Sequence, residues 1–268
     1  MKVPSLALAR TGVIVAAAIL GGGHPAVMAD PILPGFDLYE TLPGSNLVFG
    51  PTSPIPSGFF GPGSDPFVGT VALGGLPIGP GLTDTVVQRM DPGPPSGGSG
   101  PINIELVALN LVSVMPITVT FNGGSTSSTW DVAIGLQPTP DSLGTIQVGH
   151  NDPSGGIFIS GLLNVNLVLT FTETMSPFTM LQTNFSDTLT VPAAPATWSH
   201  TAPPQDAHNL AFPAGNLYSG PITASSARVN LLLGPAAVPE AGAWLMLGVA
   251  AAGVGGVKFA RQSPRLRK

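Results

Sequence analysis

The chain has 268 residues, 43% of them hydrophobic and only 9% charged, and it contains no cysteine. Disulfides, thiolate nucleophiles and Cys-ligated zinc are therefore excluded. Seven of the nine basic residues lie at the two ends (Lys2, Arg10, Lys258, Arg261, Arg265, Arg267 and Lys268), so residues 30–237 keep only Arg89 and Arg228 against thirteen acids, a net of −11. Such a body repels nucleic acid, whose phosphates need Lys and Arg, and modest negative charge suits a soluble exported protein.

The N-terminus has the three parts of a secretory signal. Lys2 and Arg10 supply positive charge, Thr11 to Leu20 is an apolar run, and Val27 and Ala29 are the small residues before a cut between Ala29 and Asp30. The apolar run is well short of the roughly 20 residues that a membrane helix needs. Residues 1–29 are expected to be a cleaved signal peptide, with signal peptidase as its partner.

The body, 30–237, is long enough for one large β domain or two small ones. Gly and Pro cluster between apolar runs and act as turn punctuation. Phe36–Tyr39, Phe67–Leu73 and Leu82–Arg89 read as strands. Gly58 to Phe67, with Phe59 and Phe60, reads as a tight turn whose rings pack on a sheet edge; a binding loop with exposed aromatics is the alternative. Asp91 to Pro101 is a loop or linker, and 91–101 is the best internal boundary if the body has one.

Past Pro101 the apolar period becomes two. Ile102, Ile104 and Leu106 alternate with polar residues, as do Ile117, Val119 and Phe121, and Asn122-Gly123-Gly124 marks a hairpin turn. Trp130–Leu136 and Thr145–Val148 follow. The strongest alternation is Ile157–Thr172, with Ile157, Ile159, Leu163, Val165, Leu167, Leu169 and Phe171 on one face and a bend at Gly161. Asp187–Val191 and Ala227–Leu233 complete the set. The pattern predicts an all-β fold, an antiparallel β-sandwich or jelly-roll-like body, with no helix between the two ends.

Candidate chemistry in the body is sparse. His200, Asp206 and His208 are zinc-ligand types, but Pro203-Pro204 makes their segment a loop without preset geometry. His150 is the only other histidine of the body. No Gly-x-Ser-x-Gly elbow accompanies these residues. Glu105 and Glu173 lie near strands, as a glycosidase pair would require. Asp65, Asp84, Asp91, Asp141 and Asp152 sit in turns that favour calcium, yet no Asp-x-Asp-x-Asp-Gly loop is present. Ser96 to Gly100 lacks the lysine of a phosphate loop. The sequence therefore names no catalytic residue and no metal site, with calcium the one cofactor left open.

The last residues have a second three-part plan. Val238, Pro239 and Glu240 precede an apolar run, and Lys258, Arg261, Arg265, Arg267 and Lys268 close the chain. As a helix, 241–257 is about 25 Å long, the short limit for a bilayer. The positive-inside rule puts the basic tail in the cytoplasm and the body outside. This order resembles the PEP-CTERM sorting domain of Gram-negative bacteria, departing from it at Ala241, where a second proline is usual. A sortase signal would need Leu-Pro-x-Thr-Gly before the helix, and a GPI signal ends without a basic tail. The resemblance implies an exosortase-type transpeptidase that recognises Pro239-Glu240 and cuts nearby. It also implies an inner-membrane-anchored precursor, then a cell-surface or extracellular product, in a setting of extracellular polysaccharide. The expected function is that of an exported envelope or matrix protein without enzymatic activity. The alternatives are a carbohydrate-binding or calcium-dependent adhesive module and a secreted hydrolase, and a plain uncut anchor is the rival reading of the tail.

Overall fold

A computed structural model describes residues 31–78, 81–175, 177–200 and 217–235. The signal cleavage pair Ala29 and Asp30, the tail 238–268, and Asp206 and His208 lie outside the described residues. The described residues contain no helix and fourteen strands. These are β1 (Gly35–Thr41), β2 (Asn46–Phe49), β3 (Gly69–Gly75), β4 (Thr85–Arg89), β5 (Ser99–Ser113), β6 (Ile117–Phe121) and β7 (Thr126–Leu136). Then come β8 (Ser142–Asp152), β9 (Gly155–Glu173), β10 (Met180–Thr190), β11 (Ala196–Ser199), β12 (Tyr218–Ser219), β13 (Ile222–Ser225) and β14 (Val229–Pro235).

Every pairing is antiparallel, as the alternation requires, and many strands are halves laid end to end. β1 and β2 both line β14, at Thr41↔Leu233 and Leu47↔Val229. β3 and β4 both line β5, β5 and β6 both line β7, β7 and β8 both line β9, and β10 and β11 both line β9. Likewise β12 pairs β11 and β13 pairs β10. With each set taken as one broken strand, neighbours follow chain order: β1/β2, β3/β4, β5/β6, β7/β8, β9, β10/β11, β12/β13, β14. β14 then pairs β1 and β2, so the circuit of pairings closes. The all-β, antiparallel expectation is met. Jelly-roll order would place strands distant in the chain side by side; here strands, or broken pairs of strands, that follow one another in the chain lie side by side, and among the described strands the distant neighbours are β14 with β1 and β2.

Inward side chains from all around the ring form one core, from Tyr39 and Leu47 through Ile104, Trp130, Val165 and Leu169 to Leu231 and Leu233. In β9 the alternation slips. Phe158 is buried while Ile159 is 39% exposed. The register steps from Gln147↔Ser160 to Val148↔Phe158, so Ile159 is an extra residue on β9. That bulge moves the inward set to the opposite parity on its N-terminal side, which places Phe158 rather than Ile157 and Ile159 inside. At Gly161, where the sequence suggests a bend, β9 is continuous; the glycine instead allows close backbone approach, since a Cβ there would lie 2.3 Å from the Thr145 carbonyl oxygen.

The ring has two distinct ends. β1 starts and β14 finishes at one of them, where Tyr39 faces Pro235; this is the terminal end. The opposite, aromatic end carries the β2–β3, β6–β7 and β9–β10 connections. There Phe60 is buried, stacked 5.1 Å from Trp130 and 5.3 Å from Phe171, with Phe59 at 5.5 Å from Phe171. The loop that carries both rings folds through left-handed glycines Gly58, Gly61 and Gly63, at φ of 81°, 124° and 80°. Residues 91–101 form the connection between the neighbouring strands β4 and β5 and enter β5 at Ser99.

Candidate functional site

Three sets of buried polar groups demand an explanation, two at the terminal end and one at the break between β3 and β4. One set lies inside the ring. Asp37 and Arg89 occupy inward positions of neighbouring strands, in parity with Tyr39 and Val87. Arg89 Nε donates to Asp37 Oδ2 at 2.9 Å and Nη2 to Oδ1 at 3.2 Å, while Nη1 donates to the Leu33 carbonyl. Burial pushes the Asp37 carboxyl above its ordinary value, and the Arg89 charge and hydrogen bonds only partly offset this. Beside the pair is an apolar cavity of about 50 Å³, lined by Ile104, Leu106, Ile146, Phe158, Leu163 and Leu231 among others. A small-molecule site needs a space of roughly 300 Å³ or more, so this cavity is a packing void.

Asp84 is a second buried carboxylate. Its oxygens accept from Thr41 N and Thr41 Oγ1, both at 2.7 Å, and from Thr85 Oγ1 at 2.6 Å. These bonds fasten the break between β3 and β4 to the end of β1. The close approach requires glycine at 75, where a Cβ would lie 1.5 Å from Asp84 Oδ2.

The third set is a cluster of rings where β8 and β11 finish. His150 is fully buried. Its backbone is held on both sides by the Gly/Pro-rich connection: Gly97 N donates to His150 O at 2.6 Å and His150 N to Gly98 O at 2.9 Å. His150 Nδ1 lies 3.1 Å from the Pro94 carbonyl. A carbonyl only accepts, so Nδ1 carries a proton, and in the neutral imidazole Nε2 presents a lone pair. Trp198 crosses β9 at Gly156, where a Cβ would meet its Cζ2 at 2.6 Å. His200 is fixed through its amide to the Ser154 carbonyl at 3.0 Å. The ring centroids of His150 and His200 are 5.6 Å apart, and Trp198 lies 5.3 and 5.2 Å from them. His150 Nε2 and Trp198 Nε1 are both buried without a hydrogen-bond partner.

The turn acids are bound locally and separately. Asp65 accepts from Gly123 N at 3.0 Å and Gly124 N at 3.1 Å, and Thr120 also bonds it; these bonds hold its carboxyl below the usual range. Asp152 accepts from Ser154 and is lowered for the same reason. Asp91 accepts from Asn103, and the Asp141 backbone carbonyl from Asn166. The five calcium candidates thus stand at separate turns, and no group of three or more His, Asp or Glu able to hold a metal occurs among the described residues. Glu105 faces Leu143 and Glu173 faces Trp130, so the length of β7 separates them.

The outer face is rich in uncharged hydrogen-bonding side chains. Thr188 Oγ1 donates to Asn164 at 2.8 Å, Ser186 Oγ to Asn166 at 2.9 Å, Gln182 to Thr170 at 3.0 Å and Thr145 to Asn103 at 3.1 Å. A shallow depression of about 480 Å³ on this face is bordered by Thr145, Gln147, Ser160, Asn164 and Thr190. Arg228 lies half-buried over the Phe185 ring, 4.0 Å from its centroid. With Arg89 inside, no fully exposed cation remains among the described residues.

The sequence reading singled out His200 and noted His150 without joining them, because fifty positions separate them and only the β8–β9–β11 pairing brings them together. The Arg89–Asp37 pair went unremarked, although its signal was present: each sits at an inward position of an alternating run. No protein-family model matches the chain, and neither does any curated protein or solved structure.

Proposed function

We infer that the chain is an exported β protein of the bacterial envelope or extracellular matrix, without enzymatic activity, delivered through a PEP-CTERM-type tail. One observation carries this reading: the order Val238-Pro239-Glu240, apolar 241–257, basic Lys258 to Lys268, at the far end of a chain that opens with a signal-like segment. The fold supports it in two ways. β14 ends at Pro235, just ahead of the sorting motif, and pairs there with β1. A tether at Pro239-Glu240 would therefore leave from the same end as the signal cleavage point. The outer face, with its amides, hydroxyls and acids, suits a hydrated polysaccharide setting, where contacts are made by hydrogen bonds and basic groups would trap polyanions.

The test is top-down mass spectrometry of the protein from its host, with membrane and medium analysed separately. The expected species begins at Asp30 and ends near Pro239 or Glu240. A membrane species that retains Lys268 would sink the sorting reading and leave a plain anchor.

The depression bordered by Gln147 and Asn164 favours a second reading, a face for neutral glycans. A glycan array run with and without calcium tests it. Binding that is lost in Gln147→Ala and Asn164→Ala supports it, and an empty array removes it.

A further inference from the structure

We propose that His150 and His200 are protein ligands of a transition-metal site at the terminal end of the ring, taking an imidazole-preferring ion such as Zn²⁺ or Cu²⁺. His150 is already arranged as a ligand. Its Nδ1–H is given to a backbone carbonyl, the outer contact that commonly fixes a metal-binding imidazole and raises the basicity of its other nitrogen. Its Nε2 is buried and has no partner, a state that a protein rarely leaves uncompensated. The second imidazole is at a suitable distance. With metal–nitrogen bonds of about 2.0 Å, each ring centroid lies about 3.2 Å from the ion, so two rings at a tetrahedral angle stand about 5.2 Å apart. The observed separation is 5.6 Å.

The surroundings favour an ion over a larger ligand. Trp198 packs against both imidazoles and gives the site an apolar wall. Both ligands are held by backbone hydrogen bonds to neighbouring turns, His150 by Gly97 and Gly98 and His200 by Ser154, so neither strand end needs to move to bind. Imidazole donors select zinc and copper over calcium or magnesium.

The test uses the full-length chain in detergent, titrated at neutral pH with Zn²⁺ alone and with Cu²⁺ alone. One equivalent is expected to bind, and the Cu²⁺ form should show an electron paramagnetic resonance spectrum with coupling to two imidazole nitrogens. His150→Gln and His200→Gln should each weaken binding at least about tenfold. If His150→Gln fails to fold, His200→Gln decides, because His200 is the less buried residue of the two. Undiminished affinity in the folded variants would overturn the proposal. So would an absence of saturable binding below about 1 mM metal, a ceiling corresponding to negligible affinity. That result would mean that an ordinary water satisfies His150 Nε2 and Trp198 Nε1 together.

Discussion

The aromatic end and the terminal end close the same ring by different chemistry. At the aromatic end, Phe59 and Phe60 fold back from the β2–β3 loop onto Trp130 and Phe171, edge to face. Contacts of this kind carry no net charge and respond little to pH or salt. At the terminal end the interior holds Arg89 with Asp37, and His150 stands in the wall. The ion pair is stable only while both of its members remain. The comparison teaches that one end is an apolar plug and the other is built round a matched ion pair, so damage should spread differently from each.

The largest effect is expected where a pair is halved. Arg89→Met leaves Asp37 buried without its cation and should cost about 4 kcal/mol of stability, read from urea unfolding midpoints. Removing Asp37 as well, by Asp37→Leu on that background, should restore most of the loss. If the double variant is no more stable than the single one, the pair is not acting as a unit.

Next is the plug. Phe60→Ala should cost about 3 kcal/mol, because Phe59 can settle into part of the space. This loss should be the same at pH 5 and pH 8, in contrast to changes at the other end. A pH-dependent loss would erase the distinction between the ends.

The smallest effects have opposite signs. At the terminal end, Glu40 is pushed above its ordinary 4.5, by burial and then by the Asp84 charge. A raised folded-state value means the native state holds its proton more tightly than the unfolded chain. Stability is therefore lost as pH rises through that window, and the loss is complete at neutral pH. Glu40→Gln should raise the urea midpoint slightly at pH 7, and the gain should vanish below pH 4.5. Near the aromatic end, Asp65 is held below its ordinary 3.8 by the turn it caps. Its contribution is present above that value and disappears as pH falls through the lowered one. Asp65→Asn should lower the midpoint at neutral pH only. Effects of the same sign at both positions would contradict burial as the cause at Glu40 or hydrogen bonding as the cause at Asp65.

Much of the strand content was legible because a half-buried strand needs every second side chain apolar, and Ile102, Ile104 and Leu106 or Val165, Leu167 and Leu169 obey that rule. The turn at Asn122-Gly123-Gly124 was legible for a local reason: Asn122, Gly123 and Gly124 all adopt positive φ, at 52°, 68° and 86°. What escaped was non-local. Periodicity reports that a strand has an inside but not which strand lies beside it, so the end-to-end halves and the closing of the circuit could not be read. The Ile159 bulge escaped because an extra residue is visible only against its partner on β8. For the same reason His150 and His200 looked unrelated: the strand between them supplies the register that joins them.

The pairing of β14 with β1 has a consequence for synthesis and export. The strand that completes the ring is the last to be made, and its partner is among the first. Until residue 235 has cleared the exit, whether from a ribosome or a membrane channel, β1 lacks its β14 neighbour and the core stays open along one seam. Contacts between the extremes of a chain also form slowly, because the intervening loop must be closed first. Such a chain favours late folding, and late folding keeps a polypeptide threadable while it is being moved.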